Sequence, residues 1–286
     1  MWLLVAAMAV LARLPWPLQR GLGRALGAFL HRMLGSRRRI AARNLALCFP
    51  ELDTAARARL LQRNFTALGI GLFEFARAWW GSINASRRGL QLQGLEHMDA
   101  ARAAGRGVIL VSGHFTTLEI CGRLLCDQVP LAGMYRPHAQ PALEWAVKRG
   151  RLRYAVAMFS RDELRPAIRH LKAGGVLWFA PDQDTRRGDS VFVPFFDRPA
   201  SSLTSTHQLA RLSGAAVLAF AHERRDDGSY CLRLAPAFTD FPTTGATADT
   251  ARVMAAIEAM ARAVPTQYLW IHRRFKRQPE GDDPYA

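Results

Sequence analysis

Cysteine is scarce in this chain. The four thiols, Cys48, Cys121, Cys126 and Cys231, fall in no CxxC spacing, which argues against a zinc site and against a disulfide framework. Reduced, mostly buried thiols in a cytosolic compartment are the expectation. Lysine is scarcer still. Lys148, Lys172 and Lys276 are the only ones, so arginine supplies nearly all of the 39 cationic side chains. Long apolar runs are short of what a bilayer demands: the amino-terminal MWLLVAAMAVLA breaks at Arg13, whereas a spanning helix needs about 20 apolar residues. No serine stands in a GxSxG elbow, which removes the usual hydrolase nucleophile. Neither an internal repeat nor a low-complexity linker interrupts the sequence.

What is present begins with charge. Over 286 residues, half of them hydrophobic, the formal net charge is +16. A chain of this length and apolar content buries a substantial core. Arginine's planar fork suits phosphate and carboxylate, so the expected partners are anionic: nucleic acid, anionic lipid or a strongly acidic protein. After Arg13 and the PWP turn, GLGRALGAFLHRML is amphipathic, with Arg20 just before it and Arg24 and Arg32 recurring among its apolar residues. No small-residue cleavage site follows a basic start, so a removable signal peptide is not expected. Residues 1–35 read as an anchor lying on or dipping into a membrane, with arginines toward anionic headgroups, and 36–286 as one further domain. Spanning stays open if Arg13 snorkels; a buried helical hairpin is the plain alternative.

From Arg57 to Trp80 apolar residues recur every three or four positions, which predicts a helix capped by Asp53 or Thr54. From Gly107 onward VILVS, PLAGMY, YAVAMF, VLWFAP, AAVLAFA and YCLRLAP read as strands. Helical stretches over 118–126, 141–149, 162–172, 202–212 and 248–264 separate or follow them, and QYLWIHRRF reads as a strand or extended segment. Strands alternating with helices predict an α/β fold with a mostly parallel sheet flanked by helices.

The chemistry-bearing residues lie where apolar runs break. In SGHFTTLE a strand ending at Ser112-Gly113 delivers His114 to the carboxyl rim of the sheet, where α/β ligand sites lie, and Thr116 or Thr117 caps the next helix. Glu119 folding back on the imidazole would fix its tautomer and stabilise imidazolium as the other nitrogen takes a proton, a general-base pair that activates a hydroxyl. Alone, HxxxxE is weak: the histidine equally satisfies a loop carbonyl while the glutamate complements a helix N-terminus. Arg136, Lys148, Arg149, Arg151 and Arg153 gather around one short helix and predict an anion site. Asp182 and Asp184 end the VLWFAPDQD strand; with no further ligand cluster they are read as holding arginines, Asp182 foremost, rather than a metal. VFVPFF either lines an acyl groove or plugs the core. Trp270, His272, Arg273, Arg274, Lys276 and Arg277 fit a lipid-headgroup interface or, by stacking, nucleic acid.

In their order and spacing RRRIAARNLALCFPEL, GHFTTLE, GMYRP, WAVKRGRLR, WFAPDQD, SVFVPFF and QYLWIHRRFKRQPEG resemble the bacterial lipid A late acyltransferases, over nearly the whole chain. The resemblance implies a glycerolipid-acyltransferase-like α/β fold and an enzyme on the cytoplasmic face of the inner membrane. It implies acyl carrier protein thioesters as donor, a Kdo-bearing lipid A precursor as acceptor and no cofactor. It also implies His114 and Glu119 as the catalytic pair, with Arg151 and Asp182 required beside them. Arg136, Arg149, Arg153, Arg273 and Arg274 are the expected anion contacts. An acidic carrier and a phosphorylated acceptor fit the positive charge. Rival readings are an acyltransferase for another glycolipid or aminolipid, and a non-catalytic binder of anionic lipid or nucleic acid; nucleic acid is not the expected partner.

Overall fold

The computed structural model describes residues 1–184, 189–281 and 283–286. Its strands are β1 (Leu90–Gln93), β2 (Val108–Val111), β3 (Leu131–Tyr135), β4 (Ala157–Ser160), β5 (Val176–Phe179), β6 (Ser190–Phe195), β7 (Arg198–Leu203), β8 (Ala216–Arg224) and β9 (Tyr230–Ala237). The helices are α1 (Trp2–Leu11), α2 (Trp16–Met33), α3 (Gly35–Cys48), α4 (Thr54–Trp80), α5 (Asn84–Arg88), α6 (Leu95–Ala103), α7 (Leu118–Cys126), α8 (Pro141–Arg151), α9 (Leu164–Lys172), α10 (Ser205–Ser213) and α11 (Ala246–Ala263).

Seven strands share one sheet in the order β1-β9-β8-β2-β5-β3-β4. β8, β2, β5, β3 and β4 run parallel. β9 returns antiparallel to β8, and β1 pairs parallel with β9. The strands expected from apolar runs are all present. Crossovers leave β2 toward β3 on one side, and after β5 the chain passes to β8 on the other. The carboxyl ends of β2 and β5 therefore flank a point where the winding reverses, the place where open α/β sheets open a crevice.

The sheet is buried on both faces. Ile109, Val111, Leu177, Phe179 and Val217 enter one core with Phe65, Phe195 and Trp270, while Val108, Leu110, Val176 and Leu218 enter another with Trp79, Ile120 and Leu124. That split follows strand alternation. The long helix α4 serves both, giving Phe65 to the first and Trp79 to the second. Asp53 caps it as expected, its Oδ1 accepting from the Ala56 N–H at 2.6 Å. VFVPFF plugs the core: Val193, Phe195 and Phe196 are buried, and β6 turns into β7 through Phe196 and Asp197 at φ 52° and 55°, the two positive values of a tight hairpin.

The amino-terminal helices pack on this frame. A Cβ at Gly69 of α4 would lie 2.2 Å from the Gly23 carbonyl oxygen of α2, and one at Gly27 would lie 2.5 Å from that of Phe65. Glycine thus lets the two backbones meet. α1 leaves Trp2, Leu3, Leu4 and Val10 exposed, with the Trp2 ring 5.4 Å from that of Trp145 on α8. Among the described residues no helix is long and apolar enough to cross a membrane.

Candidate active site

β2 ends at Val111, and Ser112-Gly113 carries the chain to His114. A Cβ at Gly113 would come within 2.8–3.1 Å of Ile257, Phe115 and Tyr268, so the turn passes too close to α11 and to the 266–272 segment for any side chain there. On the other flank Gly71 of α4 lets that helix approach the Thr116 carbonyl, which a Cβ would meet at 2.7 Å. The histidine turn is wedged between rigid elements.

The carboxylate facing His114 is Asp182, not Glu119. Asp182 follows β5 as His114 follows β2, and these two strands are neighbours. The His114 Nδ1–H donates to Asp182 Oδ1 at 2.5 Å, and the His114 backbone N–H donates to Oδ2 at 2.9 Å. Oδ2 also accepts from the Tyr268 hydroxyl at 2.8 Å. Asp182 is 1% exposed. Burial pushes its carboxyl pKa up, but the His114 ring, its backbone N–H and the Tyr268 hydroxyl together hold it well below the usual carboxylate range. An ionised Asp182 fixes the proton on Nδ1 and leaves Nε2, which has no hydrogen bond among the described residues, as the lone-pair nitrogen. The side chain of His114 is 31% exposed, so that nitrogen has an open edge.

Glu119 faces the other core. In the first turn of α7, its Oε1 accepts from Arg151 Nε at 2.7 Å and from Nη2. Oε2 accepts from Trp79 Nε1 at 2.6 Å and the Tyr154 hydroxyl at 3.1 Å. Four donors leave it no lone pair for His114. Burial lowers the pKa of Arg151, yet the attraction of Glu119 more than offsets that and leaves it above its ordinary value. The expected cap also differs: Thr117 stands at the N-cap of α7 without capping it, because its hydroxyl pairs with His222 Nδ1 at 2.9 Å.

The remaining arginines divide. Arg136, Arg149 and Arg153 are exposed; Arg153 donates to the Trp79 carbonyl at 2.8 Å, and Arg149 lies over the Trp145 ring. Arg273 is partly exposed, 3.8 Å from Asp283. Arg274 is not a surface anion contact. It is 2% exposed, donating to the Ser201 carbonyl at 2.6 Å and the Ser202 hydroxyl at 2.5 Å. Trp270 is buried too, its indole N–H on the Pro265 carbonyl, so it offers no stacking face. The arginine-holding aspartate is Asp184, bound to Arg277 at 2.6 Å, not Asp182. Among the described residues no cluster of metal-ligating side chains forms. QYLWIHRRF makes turns with a single antiparallel bridge, Phe115 to Tyr268. Tyr268, Trp79 and Tyr154 are carboxylate partners that the sequence does not mark, because nothing local in it separates a hydroxyl or indole aimed at a carboxylate from an ordinary core aromatic.

Two further histidines make stability depend on pH. Burial lowers His222 to about 3; burial, with His114 and Arg274 nearby, lowers His272 to about 4 against the partial opposition of Asp182. Both are neutral when folded and titrate near the ordinary 6.5 when unfolded. Below that value the unfolded chain takes up protons that the folded chain refuses, so stability is full above 6.5 and falls toward 4. Urea unfolding is expected to show a midpoint that is level just above neutrality and declines between about pH 6 and pH 4. A midpoint level across that interval contradicts the assignment.

A histidine with one nitrogen tied to a buried carboxylate and the other open, at the winding reversal of an α/β sheet, has the geometry that general-base activation of a hydroxyl requires. The model of the bacterial lipid A biosynthesis acyltransferases matches residues 1–277. The lipid A biosynthesis lauroyltransferase of Escherichia coli K12 is 38% identical over 98% of this chain and 92% of its own length. The lipid A biosynthesis palmitoleoyltransferase of the same strain matches at 38% over the same shares, and a Haemophilus influenzae lipid A biosynthesis acyltransferase at 37% over 99% and 92%. Among solved structures, the 1-acyl-sn-glycerophosphate acyltransferase PlsC of Thermotoga maritima aligns with 87% of this chain and 97% of its own, at TM-score 0.40 and 17% identity. The chain belongs to the bacterial lipid A biosynthesis acyltransferases, and it is an O-acyltransferase.

Proposed function

We propose that this enzyme moves a fatty acyl group from an acyl carrier protein thioester to a hydroxyl on a Kdo-bearing lipid A precursor, at the cytoplasmic face of the inner membrane. His114 Nε2 takes the hydroxyl proton as the oxygen attacks the thioester carbonyl. The tetrahedral intermediate collapses with loss of the carrier's thiolate, which regains the proton from His114, so no covalent acyl-enzyme forms. Asp182 stabilises the transient imidazolium. The observation that carries this reading is the donation of His114 Nδ1–H to a buried carboxylate while Nε2 stays open.

Arg136, Arg149, Arg153 and Arg273 receive phosphate and carboxylate groups of the acceptor and the acidic carrier; their exposure supports this. Arg151, braced by Glu119, is the inner cation of that set. The exposed apolar residues of α1 enter the lipid interface, an anchor that lies on the membrane. The test is product mass. Purified enzyme given an acyl carrier protein thioester and the precursor in mixed micelles is expected to yield precursor heavier by one fatty acid less water, with release of one carrier thiol. Thioester consumption without an acylated precursor, or acylation of a different glycolipid or aminolipid alone, overturns it.

A further inference from the structure

Two buried asparagines on different helices hold one strap of chain against the His114 turn. Asn64 of α4 donates from Nδ2 to the carbonyls of Thr266 at 2.9 Å and Tyr268 at 2.8 Å. Asn44 of α3 donates from Nδ2 to those of Trp270 at 2.6 Å and His272 at 2.8 Å. Each amide bridges carbonyls two residues apart, and both side chains are buried. The strap so pinned pairs with the turn itself: the Thr116 N–H donates to Gln267 O at 2.8 Å, and the Leu269 N–H to His114 O at 2.9 Å. Between those two bonds stands Tyr268, 4% exposed, its hydroxyl on Asp182 Oδ2.

We propose that Tyr268 is a positioning residue of acyl transfer: it holds Asp182 in the one rotation that serves His114, and Asn44 and Asn64 keep it in register with the histidine turn. The inference rests on His114 being the base. A carboxylate on a short side chain turns freely unless both oxygens are held. Here Oδ1 meets the ring, while Oδ2 is held by the His114 backbone N–H and the Tyr268 hydroxyl. Without the hydroxyl one of the two restraints on Oδ2 is gone, and the negative charge it shared concentrates on the oxygens facing the imidazole. That change strengthens the attraction for imidazolium and loosens its aim. Among the described residues, the titratable or charged groups around the pair include His272 and Arg274 on the strap side, Cys48 near Tyr268 and Asp184 beyond Asp182.

Steady-state kinetics of Tyr268→Phe across pH tests this. A hydrogen bond to a charged group has a strength that predicts a fall in kcat of about ten- to a hundredfold. KM for thioester and acceptor is expected to be unchanged, and the acidic limb of the kcat/KM profile to move upward. Asn64→Ala, which keeps the hydroxyl but frees the strap, is expected to lower kcat in the same direction with KM unchanged. Parental kcat in Tyr268→Phe, or a lower kcat with a superimposable pH profile, overturns the inference. His114→Ala assayed alongside separates the two ideas. Full turnover there removes the base itself, whereas an inactive His114→Ala beside an unaffected Tyr268→Phe removes only the role of Tyr268.

Discussion

Asp182→Asn is expected to lower turnover by about 10³–10⁴-fold, as much as His114→Ala, for which loss of base catalysis predicts about 10²–10⁴-fold. The asparagine is nearly isosteric, so the effect comes from proton position. At Oδ2 two donors converge, the His114 N–H and the Tyr268 hydroxyl; an asparagine must place its carbonyl oxygen there. Its NH₂ then occupies the Oδ1 position and donates to His114 Nδ1. That ring nitrogen becomes an acceptor, the proton moves to Nε2, and the nitrogen facing the open edge loses its lone pair. The folded protein is intact and the base is in the wrong tautomer. Turnover of purified Asp182→Asn at saturating thioester and acceptor checks this, with circular dichroism confirming the fold. Activity near the parent's assigns the histidine a different partner.

Why the sequence pointed to Glu119 is instructive. HxxxxE is local, and a turn between a strand end and a helix start brings such residues near each other in many chains. The true partner is sixty-eight residues away. That offset is the register of the sheet: Val108 faces Val176 and Val111 faces Phe179, so extending the ladder three residues past each strand sets His114 against Asp182. Only the adjacency of β2 and β5 gives this, and a parallel pairing joined through intervening elements leaves no local mark. The strands themselves were legible, since each is an apolar run bounded by turns. The reversal of β9 was legible in principle from RDDGS, because five residues between β8 and β9 admit a hairpin and no helix. The arginines on and just after α8 were legible as a cluster but not residue by residue: Arg149 and Arg153 are exposed while Arg151 turns in toward Glu119.

Glu119→Ala is expected to destabilise the fold by about 3 kcal/mol, because it leaves the largely buried Arg151 cation without its carboxylate. Glu119→Gln is not a mild alternative. Every group around that carboxylate is a donor: Arg151 Nε and Nη2, Trp79 Nε1 and the Tyr154 hydroxyl. A glutamine NH₂ must face one of them. Glu119→Leu combined with Arg151→Met removes the charge pair at similar volume and is expected to recover part of the loss. It does not recover all, since the Trp79 and Tyr154 donors remain buried and unpaired at about 1–3 kcal/mol each. Urea unfolding of Glu119→Leu, Arg151→Met and the double variant measures that coupling directly. The same proteins decide what Glu119 does in catalysis. If it acts through Arg151, the acidic limb of the pH–rate profile stays where the parent has it in whichever of these variants folds, because His114 and Asp182 are untouched. If it acts on the imidazole, that limb moves when Glu119 is replaced and stays put when Arg151 alone is. With both of its oxygens taken on the far core of the sheet, the first outcome is the expected one.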